Sequence, residues 1–253
     1  MGELIHNSQV IKELEDLGIK TLEELPKNGE GICVIRSHGA SLSLIEEIKK
    51  QGFEVVDLTC PDVKKVQNKA IELVLEGYYL IILGSPKHPE VMAIEANAKT
   101  FAKKEDDVFV VSNLDVLKNN LENIKNHKKI GIVIQTTQKI EYLKEIVDYL
   151  LPYSKDLKII NTICLSTTLR QNEAREIAKN SDLMVVIGSK KSANTTHLAN
   201  ILSNITNTIH IEDDMELEIF KDKISSAKKI GITAGASTPD YIIKKVIDKL
   251  KGA

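Results

Sequence analysis

This chain of 253 residues predicts an α/β protein built on mostly parallel sheets, and three observations predict it. Short β-branched runs alternate with amphipathic segments along the whole length, the pattern of βα units. One block, made of a cysteine, a helix, a strand, a Gly-Ser turn and a polar cluster, occurs twice. Cys60 stands 25 residues before Ser85 and 28 before His88, while Cys164 stands 25 before Ser189 and 28 before Ser192. No Pro/Gly/Ser-rich linker interrupts the chain, so its units are expected to pack directly against one another.

Taken in order, residues Val10–Leu17 predict a first helix, and strands follow at Ile32–Ile35 and Glu54–Asp57 with a helix at Leu44–Lys50 between them. Val63, Val66, Ala70 and Val74 recur at helical steps and form one buried face after Cys60. Further strands are predicted at Tyr79–Leu83, Val108–Val111, Ile130–Ile134 and Lys158–Ile160, with a helix at Ile140–Leu151. The last third predicts strands at Leu183–Ile187, Thr208–Ile211 and Lys229–Thr233. It ends in a helix whose buried face is Ile242, Ile243, Val246, Ile247 and Leu250. Thr238-Pro239 before it reads as an N-cap followed by proline in the first helical position.

Composition narrows the function. With 42% hydrophobic and 28% charged residues the chain buries a substantial core and lacks the bias of disorder. A net charge of −2 gives no electrostatic reason to expect nucleic acid, and Lys125–Lys129 reads as a solvated loop. No apolar run reaches the length of a membrane span, and the N-terminus has neither the basic region nor the apolar core of a signal segment. A cytoplasmic location is therefore expected. Three cysteines without close pairing favour metal or redox chemistry, or plain burial, over disulfides.

The repeat extends beyond its first block. Ser37-His38-Gly39-Ala40-Ser41 lies upstream of Cys60, and Gln135-Thr136-Thr137 lies upstream of Cys164. Gly235-Ala236-Ser237 repeats the Gly39-Ala40-Ser41 turn, while His6-Asn7 with the following helix resembles the loop and helix after each cysteine. A third copy is thus split across the two ends. Domains are expected at residues 1–59, 60–163 and 164–253. A lone cysteine at a strand end is most often a small buried hydrophobe, but the shared offsets favour Cys60 and Cys164 as ligands. Cys33, inside the apolar run Ile32–Ile35, reads as core. His127, His197 and His210 have no repeat support and read as surface or helix-end residues.

These motifs resemble the 4-hydroxy-3-methylbut-2-enyl diphosphate reductase family. The resemblance is carried by His6-Asn7, Ser37-His38-Gly39, Thr59-Cys60-Pro61, His88-Pro89-Glu90-Val91, Gln135-Thr136-Thr137, Thr167–Gln171, Gly188–Asn194 and Thr233–Asp240. It implies three pseudo-threefold-related α/β domains around a central cavity. It also implies a 4Fe-4S cluster with three cysteine ligands and one open iron. The implied reaction is reductive dehydroxylation of the allylic diphosphate to isopentenyl and dimethylallyl diphosphate, the last step of the non-mevalonate isoprenoid route.

By motif match Cys60 and Cys164 are two cluster ligands, and the family's Gly-Phe-Cys motif, which supplies the third, is absent from this chain. Glu90 matches the proton-supplying acid, a task suited to a carboxyl with a raised pKa. His6, His38, His88, Ser192, Asn194 and Ser237 match substrate contacts, with Thr136 positioning Glu90 or the substrate hydroxyl. Ala193 stands where many relatives carry a second serine, leaving a backbone contact. A small-molecule diphosphate, an electron donor such as ferredoxin or flavodoxin, and a monomer are what the family implies. The alternative from another class is a cluster-free, non-catalytic diphosphate-binding α/β protein.

Overall fold

The computed structural model describes residues 4, 7–22, 24–27 and 29–252. Helices and parallel strands alternate through it. In chain order the elements are α1 (Ser8–Asp16), β1 (Ile32–Ile35), α2 (Leu42–Lys50), β2 (Glu54–Asp57), α3 (Pro61–Leu75), β3 (Tyr79–Leu83), α4 (Pro89–Phe101) and β4 (Val108–Val111). Then come α5 (Leu114–Asn119), α6 (Leu121–Ile124), β5 (Lys129–Ile134), α7 (Ile140–Leu150), β6 (Asp156–Ile160) and α8 (Leu165–Lys179). The chain closes with β7 (Leu183–Ile187), α9 (Ala193–Ser203), β8 (Asn207–Ile211), α10 (Lys221–Ser226), β9 (Ile230–Ala234) and α11 (Asp240–Lys251). It divides into two compact units, one of residues 1–4 and 22–164, the other of residues 5–21 and 165–253.

The first unit holds two parallel sheets, β1-β2 and β4-β3-β5-β6. β3 reads Tyr-Leu-Ile-Ile-Leu and is buried throughout, as a strand covered on both faces requires. Its side chains alternate. Leu80 and Ile82 enter a core with Val66, Ala70 and Leu73 of α3 and Val91 and Ile94 of α4. Tyr79, Ile81 and Leu83 enter another with Leu117, Leu143, Ile146 and Leu150 on the opposite face. A smaller core of Cys33, Ile35 and Ile48 lies under the two-stranded sheet.

The second unit repeats this plan with a three-stranded parallel sheet, β8-β7-β9. Leu183, Val185 and Ile187 face α11 through Ile242 and Val246, whereas Met184 and Val186 face Ala174, Ala178, Leu198 and Leu202 of α8 and α9. These positions lie 104 residues beyond their counterparts in β3, the separation of Cys60 from Cys164. The repeat therefore fixes side-chain direction as well as sequence.

Helix starts follow local chemistry. Ser41 Oγ accepts from Leu44 N–H at 3.2 Å, and Pro61 and Pro89 occupy first helical positions where no N–H is needed. One expectation fails here: Thr238 does not cap the last helix. Its hydroxyl donates to the Ile187 carbonyl at 3.0 Å, and Pro239 is the capping residue. Thr238 is itself buried, so its hydroxyl proton requires an acceptor, and the Ile187 carbonyl, which also accepts from Gly235 N–H, offers a second lone pair.

Candidate active site

Every predicted site residue that the structure describes lies at or just past the carboxyl end of a parallel strand, where open α/β sheets bind ligands. The repeat appears in the backbone bonds that shape these ends. In the first unit Gly84 N–H donates to Val111 O at 2.9 Å and Gln135 N–H to Leu83 O at 2.9 Å. In the second, Gly188 N–H donates to Ile211 O at 2.9 Å and Gly235 N–H to Ile187 O at 2.8 Å.

In the first unit, Glu90 in the first turn of α4 is 1% exposed. Its two oxygens accept from Thr136, one from the backbone N–H at 2.8 Å and one from the hydroxyl at 2.9 Å. Burial pushes the Glu90 carboxyl above its ordinary value, and the two Thr136 bonds, which favour the charged form, only partly oppose it. The Thr136 carbonyl in turn accepts from Cys164 N–H at 2.8 Å. One threonine therefore joins the predicted acid to a predicted ligand. Gln135 beside it accepts from Ser85 N–H at 3.0 Å and donates to Thr137 Oγ1 at 3.0 Å, tying the loop after β3 to the loop after β5.

His38 and His88 meet edge to face with ring centroids 5.4 Å apart. His88 caps α4 by accepting from Glu90 N–H at Nδ1, 3.2 Å away. His38 rides on the turn closed by Gly39 N–H to Arg36 O, at 2.9 Å. Gly39 has φ +79°, and a Cβ there would lie 2.4 Å from Gln67 Nε2, so the turn is open to glycine alone. Sequence reasoning missed Gln67 and Asn97. Both are buried, at 3% and 2% exposure, and Asn97 Oδ1 accepts from Leu42 N–H at 2.7 Å. Polar residues at buried positions of α3 and α4 were the available signal. A cavity of about 270 Å³ beside this turn is lined by Arg36, Gly39, Leu44, Pro89 and Met92; none of the predicted contact residues lines it.

Cys60 and Cys164 hold equivalent places, each between a strand and a helix and each partly exposed. Cys60 N–H donates to Ser37 O at 2.9 Å as Cys164 N–H does to Thr136 O. Cys164 Sγ lies 2.8 Å from Asp62 Oδ2, in the first turn of the helix that Cys60 heads, so the Cys164 thiol reaches the N-terminal end of α3. Two partly exposed thiols suit soft iron, and they fit as two donors of an iron–sulfur group. Cys33 is buried inside β1 and packs as core. Among the described residues, no set of three or more His, Cys, Asp or Glu side chains is gathered as for a metal ion.

In the second unit Ser192 caps α9, its Oγ accepting from Thr195 N–H at 3.4 Å. Asn194 falls inside the first turn of that helix rather than in the turn before it, and of Ala193 only the backbone is described. Asn7 is buried, donates to the Ser237 carbonyl at 3.1 Å and accepts from Val10 N–H, so it joins the start of α1 to the turn after β9. His6 lies outside the described residues. Two histidines make contacts that residue spacing did not indicate. His210 is a strand residue whose Nε2–H donates to the Gly188 carbonyl at 2.8 Å, and His127 stacks on Tyr79 with centroids 4.2 Å apart. His127 nonetheless sits just past the C-terminal end of α6, where its backbone N–H donates to the Ile124 carbonyl at 3.0 Å.

The sheets, the loops at their carboxyl ends and the enclosed carboxylate define an α/β protein with a prepared polar site. The chain belongs to the LytB protein family, whose model matches residues 1–251. A 4-hydroxy-3-methylbut-2-enyl diphosphate reductase of Syntrophotalea carbinolica is 40% identical over 251 residues, covering 99% of this chain and 86% of the relative. Its counterpart in Caldanaerobacter subterraneus is 41% identical, covering 99% of this chain and 84% of the relative. A solved (E)-4-hydroxy-3-methyl-but-2-enyl diphosphate reductase, the terminal enzyme of the non-mevalonate pathway, is similar with TM-score 0.80 and 37% identity. That likeness covers 100% of this chain and 87% of the solved one. The reductase of Plasmodium falciparum gives TM-score 0.80 at 26% identity, over 98% of this chain and 76% of its own.

Proposed function

We propose that this chain is a 4-hydroxy-3-methylbut-2-enyl diphosphate reductase, converting the allylic diphosphate to isopentenyl and dimethylallyl diphosphate by two-electron reductive loss of its hydroxyl as water. The observation that carries the reading is Glu90, a buried carboxyl held at both oxygens by Thr136, which also accepts from Cys164. The family of named reductases to which the chain belongs supports it, and gives no support to a non-catalytic diphosphate binder.

Cys60 and Cys164 would hold a 4Fe-4S cluster, which when bound supplies electrons and a Lewis acid for the substrate hydroxyl. Burial raises the Glu90 carboxyl above its ordinary value, which suits it to deliver a proton as the hydroxyl departs. Thr136 keeps the carboxyl in one orientation. His88 offers its Nε2–H to a diphosphate oxygen, with His38 beside it. Ser192, Asn194, the backbone at Ala193, Ser237 and His6 make the remaining contacts, helped by the positive end of α9. The division into domains at 1–59, 60–163 and 164–253 belongs to this reading and is supported by three separate parallel sheets. A cytoplasmic monomer served by a ferredoxin or flavodoxin completes it. Among the described residues no helix is long and apolar enough to cross a membrane.

Anaerobic reconstitution tests the reading. Brown protein with about four irons per chain is expected, and Cys60→Ser or Cys164→Ser should remove the colour. Glu90→Gln should keep colour and binding while stopping turnover. Colourless parent protein, or full activity of Glu90→Gln, would overturn it.

A further inference from the structure

Thr195 is the most enclosed polar residue of the second unit, at 1% exposure. Its hydroxyl donates to Ser192 Oγ at 3.0 Å, and the same oxygen accepts its backbone N–H. Two glycines make room for it. A Cβ on Gly235 would come within 2.1 Å of Thr195 Oγ1, and one on Gly188 within 3.2 Å of its methyl carbon. Gly188 opens the turn leading to Ser192, and Gly235 opens the turn leading to Ser237. A single buried side chain is therefore wedged between the two loops.

A serine hydroxyl has one proton and two lone pairs. In Ser192 both acceptor sites are occupied by Thr195, so its proton has to point away from the helix end. We propose that Thr195 is a positioning residue: by donating to Ser192 Oγ it turns the Ser192 O–H outward as a ready donor to a diphosphate oxygen, and it sets the spacing of the Ser192 and Ser237 loops. The inference rests on the reading of Ser192 as a diphosphate contact. A donor oriented beforehand loses less freedom on binding, and bonds to charged oxygens are the strong ones.

The test compares Thr195→Val, which keeps the shape and removes the hydroxyl, with Thr195→Ser, which keeps the hydroxyl. Inorganic diphosphate is titrated calorimetrically into each reconstituted protein, and turnover is measured in parallel. Thr195→Val should weaken diphosphate binding and raise KM about tenfold, with kcat within about twofold and with cluster absorbance and Tm as in the parent. Thr195→Ser should recover binding to within about threefold of the parent. Ser192→Ala separates the two levels. If Ser192→Ala weakens binding and Thr195→Val does not, the positioning role is overturned while the contact stands. If Ser192→Ala changes nothing, the contact itself falls, and this proposal with it. Should Thr195→Val not fold, Thr195→Ser decides: a loss of about tenfold there would mean that only packing matters, and would overturn the proposal.

Discussion

Glu90 departs from an ordinary glutamate because its carboxyl has almost no water around it, which raises its pKa. The folded protein binds this proton more tightly than the unfolded chain does, so its contribution to stability is complete below the ordinary value of 4.5 and is lost as pH rises through the raised folded value. Glu90→Gln removes that loss. Its Oε1 still accepts the Thr136 N–H, and the Thr136 hydroxyl can reverse to accept from the new amide. Melting curves between pH 4 and pH 8 should show the variant gaining over the parent as pH rises, with turnover down by about a hundredfold or more. A constant difference across that range would show that Glu90 does not hold its proton.

At the scale of elements, α4 carries His88 and Glu90 at its start and Asn97 two turns later. Through Asn97 it also completes the start of α2, because Oδ1 takes the Leu42 N–H and Nδ2 reaches the Ala40 carbonyl at 3.5 Å. Asn97→Ala leaves the partly buried Leu42 N–H without its acceptor. It should cost about 1–3 kcal/mol in urea unfolding, and a change under a few tenths would mean that water replaces the amide. Strands were legible to within two residues, because short β-branched runs bounded by polar and turn residues mark them whether or not both faces are buried. The role of Thr238 was not legible. A Thr-Pro pair looks like a cap from local propensity, and only the carbonyl of Ile187, some fifty residues away, redirects the hydroxyl. His210 was missed for the same reason, its partner being Gly188 on the neighbouring strand end.

Across the whole molecule, burial grades from the central strands outward. β3 and β7 are buried at every residue, whereas β2 has no buried residue. Amides of β3, β5 and β7 should therefore exchange with deuterium slowest and those of β2 fastest, since exchange follows local opening. Uniform protection by mass spectrometry would contradict that ranking. The repeat, the strand order along the chain and the two thiols could all be read from residue types and spacing, because they depend on local periodicity and on a copied pattern, whereas the candidate acid was read from the family resemblance. Tertiary structure alone decided that Thr136 grips Glu90 at both oxygens, that Cys164 reaches the first turn of α3, and that Thr195 fills the space beside two glycines. Those contacts join residues distant in sequence, or depend on the space left by residues that are, and no local pattern encodes which side chain enters which gap once the strands have paired.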